Sequence, residues 1–359
     1  MSLRAKSLDV VLSRLSRGMR RGMDGLAACL LGALALGACS GEVGAPTAGQ
    51  RAVPVTNIHN VDGVAPPTFL ARMADAPERV AHGGVRRVEY HVDVAGIPTN
   101  LVYDERVTAD GDGHYAIEPI SVNAPPMTLP QREIFDELQR ARQGFFFKYR
   151  DLRVRDLELF LANYAVHVID SAPLVAGVEC VEIEVSTRTG TQRSYRLAVE
   201  AVTGLVMRSI ERNETGAIVA AITFLEFTHE PALEGVEFHV ERYPGVPLAT
   251  AVLPLGFAPA RPQILPDGYR EMSSELLQLA GDTYVRRVYG DGLENVFFLQ
   301  RQEPGAAGGA IAAEAANVTV RIAEMGSFRV AQADRGRSNF FVVGKISEAE
   351  VLGILRSAL

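Results

Sequence analysis

Three cysteines and seven histidines are the side chains of this 359-residue sequence best suited to nucleophilic or metal chemistry. The histidines stand at 59, 82, 91, 114, 167, 229 and 239. None makes a His-x-x-x-His pair and none has a Cys partner at ligand spacing, so no metal site is indicated. Asp110-Gly111-Asp112-Gly113 sets two carboxylates as a calcium loop would. Tyr115 then stands where that loop needs Gly, and Ser121 where it needs a bidentate Glu, so the spacing predicts a turn. No Gly-x-Ser-x-Gly elbow offers a serine nucleophile, and no Gly-rich loop leads into Lys-Ser or Lys-Thr. No catalytic residue, metal or cofactor is therefore expected, and no enzyme. Thiol chemistry remains. Cys29 lies inside an apolar run, and Cys180 lies in an alternating stretch that reads as a buried or half-buried strand. Cys39 ends the sequence Leu36-Gly37-Ala38-Cys39, directly after the apolar run from Leu26 to Leu36.

That run is too short to cross a bilayer as a permanent helix, and its length fits the core of a signal peptide. A Leu-small-small-Cys ending resembles the lipobox of bacterial lipoproteins. The resemblance implies cleavage between Ala38 and Cys39, a diacylglycerol on the Cys39 sulfur, and acylation of the new amino terminus, palmitate being the expected chain. The membrane would then be reached through the Cys39 lipid anchor. Residues 1–38 read as the signal peptide, with Met19-Arg20-Arg21 a more natural start than Met1. Ser40 after the Cys, rather than Asp, points to the outer membrane, facing the periplasm.

The first 38 residues hold six of the 36 Lys and Arg and two of the 43 Asp and Glu, which leaves 30 basic and 41 acidic residues beyond them. An acidic body of this kind lacks the basic face that nucleic-acid binding needs. Cys180 has no partner left for an internal disulfide, so the fold is not disulfide-stapled.

Residues 39–64 are rich in Gly, Ala, Pro, Thr and Asn without periodicity and read as a flexible tether. A first domain spans 65–242. Pro66-Pro67 with Phe69, Leu70 and Met73 predicts a short helix. Val88, Tyr90, Val92 and Val94 alternate with Arg87, Glu89, His91 and Asp93, as in a half-buried strand. Strands follow at 100–107 and 114–120, around the 110–113 turn. Residues 129–143 read as a helix lined by Ile134, Leu138 and Ala141, and Phe145-Phe146-Phe147 follows as core. A short helix is expected over 156–164. From Val166 to Phe227 the pattern is an antiparallel meander of at least four strands, turning at Thr203-Gly204 and at 213–216. Six prolines between 243 and 268 mark a linker, with Val252, Leu253 and Leu255 docking on a domain surface. A smaller domain spans 269–359. Its strands are expected at 269–279, 283–289, 293–300, 318–323, 328–332 and 339–345, with a hairpin turn at Gly290-Asp291-Gly292 and a loop at 304–309. Ser347 and Glu350 form a capping box that opens a last helix lined by Val351, Ile354 and Leu355.

Several stretches resemble the MucB/RseB-type proteins. They are the strand, Thr203-Gly204-Leu205, strand run over 195–227; Leu265-Pro266-Asp267-Gly268-Tyr269; Tyr289-Gly290-Asp291-Gly292-Leu293 with Val296-Phe297-Phe298; and Phe341-Val342-Val343-Gly344-Lys345. The resemblance implies an α+β, mostly antiparallel β fold. Its larger domain would be a half-open β-barrel like that of the lipoprotein carrier LolA, with helices capping the mouth, and its smaller domain a sheet with one helix. It also implies an envelope-stress regulator that binds an anti-sigma factor, with an acyl chain or lipopeptide as ligand. Members of that family are soluble in the periplasm, and the anchor at Cys39 departs from them. Two other functions fit the same residues: a carrier or sorting protein for outer-membrane lipoproteins, and a structural or interaction lipoprotein with no cargo.

Overall fold

The computed structural model describes residues 65–94, 97–122, 150–188, 193–238, 245–251, 257–279, 282–302, 319–325, 327–336 and 338–359. The Leu26–Cys39 stretch, the 39–64 tether, the helix expected at 129–143, Phe145 to Phe147, the docking residues Val252, Leu253 and Leu255 and the 304–309 loop lie outside these residues.

Helix α1 (Pro67–Arg79) begins with proline in its first turn, where a missing N–H costs nothing. Phe69, Leu70, Met73 and Ala76 recur at helical spacing and are buried, while Thr68, Arg72, Asp75 and Glu78 face outward. Burying the three large side chains contributes roughly 5–9 kcal/mol gross, enough to hold the helix on its sheet. That sheet contains β1 (His82–Val94), β2 (Ile97–Ala109), β3 (Tyr115–Val122), and, after α2 (Leu157–Asn163), β4 (Tyr164–Ile169), β5 (Leu174–Val175), β6 (Val178–Thr187), β7 (Ser194–Glu200), β8 (Val206–Arg212) and β9 (Ile218–Thr228). The order is β3-β2-β1-β9-β8-β7-β6-β4, with β5 paired to β6, and every pair is antiparallel. The strands β3 and β4 stand at opposite edges, so the sheet is a barrel left open.

Alternation sorts the faces. Val166, Val181, Ile183, Val185, Tyr195, Leu197 and Val199 form one core with Phe69, Leu70, Met73 and Phe160 of the helices. Arg196 and Glu184 on the other face are exposed. The helix α1 runs close over the turn between β7 and β8. A Cβ at Gly204 would sit 2.7 Å from the Met73 backbone nitrogen, and the residue's φ of +85° is one that glycine adopts at little cost. Cys180 is fully buried in a second cluster with Met207 and Phe224, and burial pushes its thiol up to about 12, which leaves it unreactive.

The smaller domain is a second antiparallel sheet: β10 (Val246–Pro247), β11 (Arg270–Leu279), β12 (Asp282–Gly290), β13 (Asn295–Gln302), β14 (Thr319–Met325), β15 (Phe328–Arg335) and β16 (Ser338–Gly344), in the order β10-β11-β12-β13-β16-β15-β14. Helix α3 (Glu348–Ala358) closes one face, packing Val351, Ile354 and Leu355 on Phe298, Phe340 and Val342. Both bonds of its capping box are present between Ser347 and Glu350. Part of the proline-rich stretch that reads as a linker belongs to this sheet. Val246 and Pro247 pair with β11 at the edge, where a residue without an N–H is tolerated, and Ala260 and Leu265 pack on the core under α3.

Candidate interaction site between the two sheets

The hairpin turn between β12 and β13 is built for more than reversal. Asp291 Oδ1 accepts the backbone N–H of Leu293 at 3.0 Å and of Glu294 at 2.8 Å, which folds the turn on itself and frees the rest of its polar groups to face outward. Those groups meet the larger domain at α2. The Tyr164 hydroxyl donates to Asp291 Oδ2 at 2.6 Å, and the Asn163 amide donates to the Asp291 carbonyl at 2.9 Å. The Gly292 carbonyl accepts the N–H of Arg155 at 2.8 Å, and the Arg155 guanidinium donates to the Leu293 carbonyl. A Cβ at Gly292 would sit 2.7 Å from Phe160 Cα, and φ there is +101°, so only glycine fits between the turn and the helix. Leu293 itself is fully buried among the core residues of the larger domain. Burial raises the Asp291 carboxyl above its ordinary range, against the hydrogen bonds from Tyr164 and the turn's own amides.

Beside the turn lies an ionic junction. Lys345, just after β16, is 3% exposed. Its Nζ donates to Glu294 Oε1 at 3.2 Å and to the Arg150 carbonyl at 3.1 Å, and pairs with Glu211 Oε2 at 3.2 Å. Glu294 also accepts from the Tyr195 hydroxyl at 2.9 Å, and Glu211 from Arg193 at 2.6 Å. A cavity of about 10 Å³ remains here, lined by Tyr90, Tyr195, Ser209, Ser327 and Lys345 among others. It has room for about one water.

A second buried cluster sits on the same face of the sheet. Glu105 accepts from Arg86 at 2.6 Å and from both terminal nitrogens of Arg150 at 2.7 and 3.0 Å. Asp151 accepts from Arg86 at 2.7 Å and from Arg150 at 2.8 Å, and Arg150 reaches the Tyr103 hydroxyl at 2.9 Å. Burial alone would raise the Asp151 carboxyl, but Arg150 and Arg86 hold it below the ordinary carboxylate range. The cluster pins the chain at 150–151 across β1 and β2 and so fixes one wall of the junction.

Nearby, His82 is buried against Phe224 and Phe227, and burial pushes its imidazole down to about 4. Its Nδ1 lies 2.7 Å from the Val80 carbonyl, which sets the tautomer with the proton on Nδ1. The unfolded chain takes up this proton below its ordinary value of 6.5 and the folded one only near 4. The neutral ring's contribution is therefore complete above pH 6.5 and is lost as pH falls toward 4. Urea unfolding at pH 4.5 is expected to give a stability about 2–3 kcal/mol below that at pH 7 from this group, and His82→Gln should flatten that part of the profile.

No family model and no curated protein sequence matches the chain. Solved structures do. The chain is similar to a structure of MucB in complex with MucA(peri), at 17% identity over 81% of this chain and 97% of that one, with a TM-score of 0.48. A chain of the Pseudomonas aeruginosa MucA/MucB complex gives 18% identity over 82% of this chain and 96% of its own, with a TM-score of 0.48. A putative outer membrane lipoprotein-sorting protein domain from Vibrio parahaemolyticus gives 9% identity over 48% of this chain and 93% of its own, with a TM-score of 0.20.

Of the residues singled out in the sequence, Ala38 and Cys39 lie outside the described residues. Asp110 closes the turn, as its spacing predicts, with Oδ1 accepting from the Asp112 and His114 amides. Among the described residues no group of three or more His, Cys, Asp or Glu side chains is placed to hold a metal ion. The junction escapes sequence reading: Gly290-Asp291-Gly292 reads there as a hairpin turn, Leu293 and Lys345 as strand residues and Tyr164 as the end of a short helix, with nothing to bring them together.

Proposed function

We propose that this protein is a lipid-anchored bacterial envelope protein that senses or regulates envelope stress through an anti-sigma factor, with a LolA-like larger domain. The observation that carries this reading is the way the smaller domain sits in the mouth of the larger one. A carrier needs a space it can fill and empty. Over the described part of the open barrel, that space is taken by Phe69, Leu70, Met73 and Phe160 of the helices and by Leu293 of the second domain. Beside the junction the described residues leave a cavity of about 10 Å³, which holds about one water and no acyl chain. A domain seated on the helices and core of the larger one suits a sensor, which a ligand could act on by displacing that domain, better than a shuttle. The partner class follows from the motif resemblance at 195–227, 265–269, 289–298 and 341–345.

An anchor at Cys39 would hold the protein at the envelope, on the periplasmic side of the outer membrane. Cys39→Ser should move the protein from the membrane to the soluble fraction. If that variant sediments with membranes as the parent does, the lipid anchor is not at Cys39. For the regulatory role, transcription from envelope-stress promoters is expected to change several-fold in cells lacking the protein. An unchanged response, with lipoproteins misplaced instead, would favour the carrier.

A further inference from the structure

We infer that the Gly290–Glu294 turn is a latch, and that the protein exchanges between the closed form described above and an open form in which Leu293 leaves the larger domain. The inference stands on the junction alone and holds whatever the partner is. The apolar cores explain why opening is accessible. Each sheet has its own buried clusters, and among the described residues Leu293 is the single side chain of the smaller domain that enters a core cluster of the larger. On the larger domain, opening would uncover Phe160, Tyr164 and Tyr195, which the turn covers, and two of these carry hydroxyls that water can satisfy.

The remaining links at the latch are polar. They include Asp291 with Tyr164 and Asn163, Glu294 with Tyr195, Lys345 with Glu211 and the Arg150 carbonyl, Arg155 with the Gly292 and Leu293 carbonyls, Arg270 with Asp156 and Arg329 with Glu214. Such groups exchange protein partners for water on opening, so an interface of this type permits domain motion where an apolar one would forbid it. A half-open state is different. It would strand Glu211, Glu294 or Lys345 away from both water and partner. The junction therefore favours two discrete arrangements over a graded one. Its seat on the larger domain is also a weak element: α2 has two turns and is held by its Asp156 cap and Phe160.

Hydrogen exchange with small-angle scattering on the mature full-length protein tests this. In the parent, amides of α2 should exchange faster than those of β7 and β16, which exchange only on global unfolding. Gly292→Ala drives a Cβ into the Phe160 backbone and is expected to enlarge the radius of gyration and to speed exchange in α2 at least ten-fold, with β7 and β16 still protected. Tyr164→Phe removes one hydroxyl from the latch without touching the turn, and should speed α2 exchange several-fold. Unchanged scattering and exchange in both variants would overturn the latch. So would loss of protection in α2, β7 and β16 together, because the junction would then be one piece with the cores.

Discussion

Glu105→Gln is expected to lower the stability of the larger domain by about 3–5 kcal/mol, read as a shift of the urea midpoint followed by circular dichroism. Glu105 is 1% exposed and is shared between Arg86 and Arg150. Neutralising it leaves two guanidiniums with Asp151 as their remaining carboxylate, in a place where water cannot take over. The size of the effect depends on burial and not on the ion pair as such. Arg87 and Asp104 also pair, at 2.9 Å, on the opposite face of the same two strands, but the Arg87 side chain is 43% exposed. Arg87→Gln should therefore cost less than about 1 kcal/mol. Similar losses for the two variants would mean that the buried cluster is not the pin that holds residues 150–151.

Lys345→Met is the second change with a large expected effect, and its signature is different. The substitution keeps most of the side-chain volume and removes the charge that Glu211 and Glu294 share. Left buried, those carboxylates would cost about 3–5 kcal/mol. The protein avoids much of this by parting its domains, so the loss should appear as broken cooperativity. A parent that melts in one transition should become a variant with two, one for each sheet. Adding Glu294→Gln to Lys345→Met should recover part of the coupling, because one of the stranded charges is then gone. A single transition shifted as a whole, with no recovery in the double variant, would argue against a junction held by this network.

The elements were largely legible in the sequence because they follow local rules. Alternation along Val181, Ile183 and Val185, the Thr203-Gly204 and 213–216 turns, and the Ser347–Glu350 capping box all act between near neighbours, and the structure has a strand, two turns and a helix start at those places. Bounds differ where tertiary contacts extend an element. Helix α1 continues through Pro77 to Arg79 because Ala76 is buried, which propensity alone would not favour. Pro247 is in a strand because that strand lies at an edge.

The candidate site was not legible, for a physical reason. Its members come from separate parts of the chain. Glu211 and Lys345 are more than a hundred residues apart, and so are Tyr164 and Asp291. Each reads locally as an ordinary strand or turn residue, and only the docking of one sheet on the other makes the polar set a unit. Gly292 is the partial exception. A glycine in an Asp-Gly hairpin turn signals a positive φ, but not that a helix lies against it.

Under the proposed function this body engages an anti-sigma partner at the envelope. The most direct test is cross-linking in intact cells followed by purification of the full-length protein and mass spectrometry of what is bound. A single-span membrane protein whose cytoplasmic part binds a sigma factor is the predicted partner, recovered from the parent and lost or reduced several-fold from Gly292→Ala. Recovery of diverse lipoproteins with no such partner would contradict the regulator and establish the carrier in its place.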